Sequence, residues 1–315
     1  MKTSIRWGLL FLVAVVMLPA GLTRSQEKSA SIFLEQYVQA PDQHYRWEKR
    51  DGGVIDGCQW SRLHMDSQEW KGIPWKHVMW VIYPQEKISA TTLVSKHALL
   101  HISGGAWQPN WPANGPDRLG PPGDVRVMIE LSKATRSVVC VLQHVPFQPM
   151  FDGMVEDEII SKTFVEFMKT GDPSWPLLMP MVKAAVRGMD TCVAHARTDW
   201  KHEIEKFTIF GASKRGWTTW LTSSVDPRVD ALAPLVIDVL NMGPQMKHQL
   251  DTWGKYSEQI DDYSSKGITE KIASPEGKHL LRLVDPYERR ASILQPKLLI
   301  FGTNDRYWPV DACRW

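Results

Sequence analysis

Lys206-Phe-Thr-Ile-Phe-Gly-Ala-Ser-Lys-Arg-Gly-Trp217 decides the fold. Phe207, Thr208, Ile209 and Phe210 form a short β-branched and aromatic run, which predicts a strand. Gly211, Ser213 and Gly216 interrupt it, and Trp217-Thr-Thr-Trp-Leu221 continues as a helix. The stretch therefore reads as strand, tight turn and helix, with a hydroxyl at the apex. Small residues around such a serine let strand and helix approach closely. The helix N-terminus then offers unpaired N–H groups to an oxyanion forming beside it. The usual spacing is Gly-x-Ser-x-Gly; here Arg215 stands where the second glycine belongs and Gly216 comes one later. A Gly-x-Ser triplet alone says little. The strand before it and the helix after it favour a nucleophile over a plain structural turn.

Working outward, residues 57–67 and 76–83 read as adjacent strands, and residues 96–102 as a third running into Ser103-Gly-Gly-Ala-Trp107. A short helix at 128–135 precedes a buried strand at 138–142. This alternation predicts an α/β fold of the α/β-hydrolase type: a mostly parallel sheet with helices on both faces. Residues 143–176 are a long excursion in which Glu156-Asp-Glu158 opens a helix, an acidic first turn suited to the helix dipole. A long helix at 180–196 leads to the elbow, a buried strand at 231–239 follows, and residues 243–290 read as a helical insertion over the sheet. Residues 296–301 look like one more core strand, ending in Gly302-Thr-Asn-Asp305.

Residues 1–25 have the form of a signal peptide, with Lys2 and Arg6 ahead of an apolar run too short for a comfortable membrane span. We therefore expect a secreted or periplasmic protein with one domain over residues 26–315 and no membrane attachment after cleavage. The net charge of +2 carries no basic or acidic block, so nothing points to nucleic acid. Cys58, Cys140, Cys192 and Cys313 lack zinc spacing, and no metal or organic cofactor is implied. One cysteine pair could bridge in an oxidising compartment, but sequence does not choose it, and Cys140 reads as a small buried hydrophobe. The 15 tryptophans read mainly as core, with Trp107, Trp111 and Trp308 kept as substrate contacts because they flank site loops.

A serine nucleophile needs a base, an orienting carboxylate and oxyanion donors. Gly104 and Gly105, directly after a strand, are placed to supply a backbone N–H, as is Lys214 at the start of the elbow helix. Asp305, after the last strand, is the expected acid, and Asp238 is the alternative. Each could instead satisfy turn amides. Of the Lys214-Arg215 pair, either one faces the substrate, or both point to solvent or pair with Glu or Asp of the insertion. No histidine follows Asp305, so the strand–helix unit that normally brings the base reads as missing.

Gly211-Ala-Ser-Lys-Arg-Gly-Trp-Thr-Thr-Trp-Leu221, Asp226-Pro-Arg-Val229 and Val236-Ile-Asp-Val-Leu-Asn-Met242 resemble the PhoPQ-activated pathogenicity-related protein family. Ser67-Gln-Glu-Trp70, Pro74-Trp-Lys-His77, Val145-Pro-Phe-Gln-Pro149 and Met179-Pro-Met-Val-Lys-Ala-Ala185 extend the likeness over roughly residues 33–315. The resemblance implies an exported protein on an α/β-hydrolase-like fold. It carries triad roles over to Ser213 and Asp305, and to no histidine present here. Phe147 stands where the family pattern has Asn. The elbow is also similar to that of glucuronoyl esterases, which makes a glycan-linked ester a conceivable substrate beside peptide-linked esters or amides. The expectation is a serine esterase or peptidase-like hydrolase. The alternatives are a non-catalytic secreted regulator on the same fold, or an inactive truncated product.

Overall fold

The computed structural model describes residues 24–85, 94–107 and 121–314. Most of the expected signal segment, and Trp111, lie outside them.

The strands are β1 Arg46–Ile55, β2 Cys58–Trp70, β3 Ile73–Pro84, β4 Ser95–Ile102, β5 Ser137–Leu142, β6 Lys206–Ala212 and β7 Val229–Leu235. They form one sheet in the order β1-β2-β3-β5-β4-β6-β7. Neighbours from β5 to β7 are parallel, but β1, β2, β3 and β5 pair antiparallel, so the sheet is mixed rather than mostly parallel. The cause is local. Asp56-Gly57 and Lys71-Gly72 both have positive φ (47° and 77°; 51° and 77°), the backbone of two-residue hairpin turns. They tie residues 46–84 into a meander. β1 is an edge strand rich in charge (Arg46, Glu48, Lys49, Arg50, Asp51), which suits an edge and hides the strand pattern.

The helices are α1 Arg24–Gln39, α2 Gly123–Thr135, α3 Asp157–Thr170, α4 Leu178–Trp200, α5 Lys214–Val225, α6 Met242–Trp253, α7 Asp261–Ser264, α8 Ile268–Lys271 and α9 Pro275–Val284. All six residues of β5 are buried because the strand is covered on both faces. Val138, Cys140 and Leu142 enter the core under α4 and α5, while Val139 and Val141 meet Val125 and Ile129 of α2. Cys140 is more than a small hydrophobe: a disulfide to Cys192 ties β5 to α4. Among the described residues no helix is long and apolar enough to cross a membrane.

β7 stops at Leu235, short of the expected strand, because Val236 turns the chain at φ 44°. Residues 296–301 lie parallel to β7 but form no core strand. They make isolated bridges to Leu232 and Leu235, and Leu298, Leu299, Ile300 and Phe301 are 61%, 41%, 48% and 37% exposed. Among the described residues the segment is paired on one side only.

Candidate functional site

Ser213 joins β6 to α5 at φ 56°, ψ −127°, backbone that non-glycine residues rarely adopt. The turn is held where it must be. The Ser213 N–H donates to the Leu235 carbonyl at 2.9 Å, and the Trp217 N–H donates back to the Ser213 carbonyl at 3.0 Å. The shifted second glycine now has a reason. A Cβ on Gly211 would stand 2.8 Å from Arg215 Cβ, and one on Gly216 would overlap Ile237 and lie 3.0 Å from the Gly211 oxygen. Gly211 and Gly216 thus provide the close helix–strand packing, which leaves position 215 able to carry a long side chain.

That side chain does not reach the cavity. Arg215 is buried; Nε donates to the Val145 carbonyl at 2.6 Å, and Nη1 and Nη2 donate to the two Glu156 oxygens at 2.8 and 2.6 Å. Lys214 Nζ lies 2.8 Å from Asp157 and 3.1 Å from Glu156. Two cations at a helix N-terminus are unfavourable unless compensated, and these two carboxylates compensate them. Glu156 is therefore more than an acidic cap. It sits at the N-cap of α3, where its side chain makes no capping bond and instead holds both cations. Burial raises its pKa, but hydrogen bonds and charge from Arg215, with Gln148 and Lys214, outweigh burial and hold it down to about 2. Burial likewise opposes the charge on Lys214, and Asp157 and Glu156 overcome it, raising its pKa. These partners were missed in the sequence. The available signal was the odd Lys-Arg pair at a helix start, which requires acids that sequence alone does not locate.

The same cluster props the Gly104–Gly105 loop. A Cβ on Gly104 would stand 2.6 Å from Arg215 Cζ, so its missing side chain admits the guanidinium. Gly105 has φ 105°, and its carbonyl accepts from Gln148, whose amide also donates to Glu156 at 2.7 Å. The Gly104 carbonyl accepts from the His144 N–H at 2.9 Å. Among the described residues the N–H groups of Gly105 and Lys214 donate to no protein acceptor. Trp107 packs edge-on to His144, 5.4 Å between centroids, with its N–H on the Gln148 carbonyl.

A cavity of ≈ 240 Å³ opens at the elbow and brings together Ser213, Lys214, Asp305 and Trp308. Gly104, Gly105, Trp107, Arg215 and Asp238 are not among its lining residues. Asp305 Oδ1 accepts from the Tyr307 N–H at 2.7 Å. Asp238 is buried; burial, and then the charge of Asp305, push its pKa up to about 6. Because the unfolded carboxyl releases its proton near pH 4, the native state binds more protons between about pH 4 and 6, and stability falls as pH rises through that window. Asp238→Asn is accordingly expected to be more stable than the native protein at pH 8, by on the order of 1–2 kcal/mol after allowance for solvent screening, with the two converging below pH 4. Urea unfolding at both pH values checks this; equal stability at pH 8 would show that the buried carboxylate is already compensated.

Among the described residues no histidine lines the cavity. His77 is fully buried between Ser67 Oγ at 2.9 Å and the Gln143 carbonyl at 3.0 Å, His101 stacks flat on Phe210, and His97 pairs with Asp230. His248 on α6 pairs with Asp311 at 2.7 Å. Among the described residues no group of three His, Cys, Asp or Glu side chains is placed to hold a metal ion.

Known proteins share the fold. Acetyl xylan esterase from Paenibacillus sp. R4 superposes with TM-score 0.57 at 12% identity, over 93% of this chain and 88% of that one. Acetyl xylan esterase 1 from Thermoanaerobacterium sp. JW/SL YS485 gives TM-score 0.56 at 12% identity, over 93% and 83%. Glucuronoyl esterase from Solibacter usitatus gives 0.50 at 12% identity, over 93% and 77%. At such identities the likeness establishes the fold alone, an α/β fold that this chain shares with these esterases. In sequence, autocrine proliferation repressor protein A of Dictyostelium discoideum is 32% identical over 298 residues, 90% of this chain and 57% of that protein. The chain thus spans little more than half the length of that relative. The family model for PhoPQ-activated pathogenicity-related protein matches residues 34–315, so the chain belongs to that family.

Proposed function

We propose that this protein is an exported serine hydrolase acting on an ester, with Ser213 as nucleophile. The observation that carries the reading is Ser213 itself, held at φ 56° on a strand–helix elbow and lining a cavity together with Asp305. Ser213 Oγ attacks the ester carbonyl, the N–H groups of Lys214 and Gly105 hold the oxyanion, and Asp305 orients the base, with Asp238 as the alternative acid. The esterase fold favours an ester over an amide, and the names of the fold neighbours make a glycan-linked ester reasonable. Among the described residues no histidine lines the cavity, so the base that Asp305 would orient is not one of the lining side chains. Export rests on the N-terminal signal pattern and accords with the Cys140–Cys192 disulfide.

A fluorophosphonate probe should label Ser213, and Ser213→Ala should abolish labelling. Folded protein that stays unlabelled would sink the proposal. A second reading, a secreted regulator on the same fold, draws on the likeness to the proliferation repressor. It predicts that Ser213→Ala keeps the biological effect.

A further inference from the structure

The cavity has a polar end and an apolar body. Ser213, Lys214 and Asp305 stand at the polar end, and Phe164, Trp217, Met242, Met246, Ile268 and Trp308 form much of the remainder. Phe164 and Trp217 meet edge to face, 6.1 Å between centroids, as one rigid wall. Met242 and Met246 come from α6 on the other side, unbranched side chains that adapt to what they touch. Two polar side chains that reach the lining are already engaged: Tyr263 O–H donates to Asp157 at 2.7 Å, and Lys214 Nζ is shared between Asp157 and Glu156. Among the described lining residues no cation besides Lys214 is present for an anionic substrate, and Asp305 repels one. A carboxylate or a sugar ring placed against the apolar body would lose its water and find few partners.

Resting on the serine-hydrolase reading, we infer that the site selects an uncharged, apolar acyl group of medium length rather than acetyl or a uronic acid. At about 30 Å³ for each water-sized unit, the cavity takes about eight heavy atoms. That matches a hexanoyl or octanoyl chain, or a single substituted aryl ring. The acyl tail lies along Phe164 and Trp217, and Met246 sets its length. An acetyl group would leave most of the apolar surface uncovered.

The test pairs hydrolysis with a binding measurement that needs no chemistry. Hydrolysis of p-nitrophenyl esters with two, four, six, eight and twelve acyl carbons is measured on the complete protein, and octan-1-ol and ethanol binding by calorimetry on the same protein and on Ser213→Ala. Expected is a rise in kcat/KM of about fourfold per added methylene up to about eight carbons, with octanol bound and ethanol not. Met246→Ala should move the optimum to longer chains, and Met246→Trp should lower octanoyl hydrolysis and octanol binding together. Hydrolysis that is flat or best for acetate, with no octanol bound, overturns the inference and leaves the serine-hydrolase reading standing. Octanol binding lost in Met246→Trp, with no ester hydrolysed, keeps the apolar site and removes the hydrolase reading. If the protein neither hydrolyses these esters nor binds octanol, the inference is overturned.

Discussion

Glu156→Ala is expected to destabilise the fold by about 3–5 kcal/mol, the cost of leaving buried cations without their partner. Both carboxylate oxygens hold Arg215 at 2.8 and 2.6 Å, Lys214 lies within 3.1 Å, and Gln148 donates at 2.7 Å. Removing the carboxylate strands the guanidinium against the Val145 carbonyl and leaves Lys214 to Asp157 alone. Domains of this size are stable by only about 5–15 kcal/mol, so the loss is a large share of the total. Glu156→Gln keeps the shape and part of the hydrogen bonding and should fall between alanine and the native protein. Urea unfolding at pH 7 provides the numbers. A loss below about 1 kcal/mol, the range of exposed ion pairs, would mean that water reaches the cluster.

The second large effect concerns the bridge between the central strand and the long helix. Cys140 and Cys192 close a loop with a sequence separation of 52. In the chain-entropy account a loop of that length contributes about 4 kcal/mol by restricting the unfolded state. The double substitution Cys140→Ala, Cys192→Ala should lower unfolding stability by that order, and the native protein in reductant should approach it. If reductant leaves the urea midpoint unchanged, the bridge contributes nothing to stability.

The parallel half of the sheet and the elbow were legible because short β-branched strands and a Gly–Ser–Gly turn are local signals. In the antiparallel half, β2 and β3 were legible as adjacent strands, but β1 was not, although Asp56-Gly57 is a hairpin signal, because this charged edge strand carries no apolar alternation. Residues 296–301 misled in the opposite direction: Leu298, Leu299, Ile300 and Phe301 are apolar enough for a core strand, and composition does not reveal that an edge is uncovered. Ser213, Lys214 and Asp305, singled out from motif order, and Trp308, singled out because it flanks a site loop, line one cavity. The role of Arg215 was not, since its partners Glu156 and Val145 lie 59 and 70 residues away and only the folded chain brings them close.

One volume is shared by Gly104 and Arg215. Substitution at these positions therefore has an order. A side chain can enter at 104 only after 215 has been shortened, and shortening 215 leaves Glu156 with less to neutralise it. Positions 104, 156 and 215 are thus free to drift only together, and a graft that moves the elbow to another scaffold without the glycine and the acid would carry the serine but not its support.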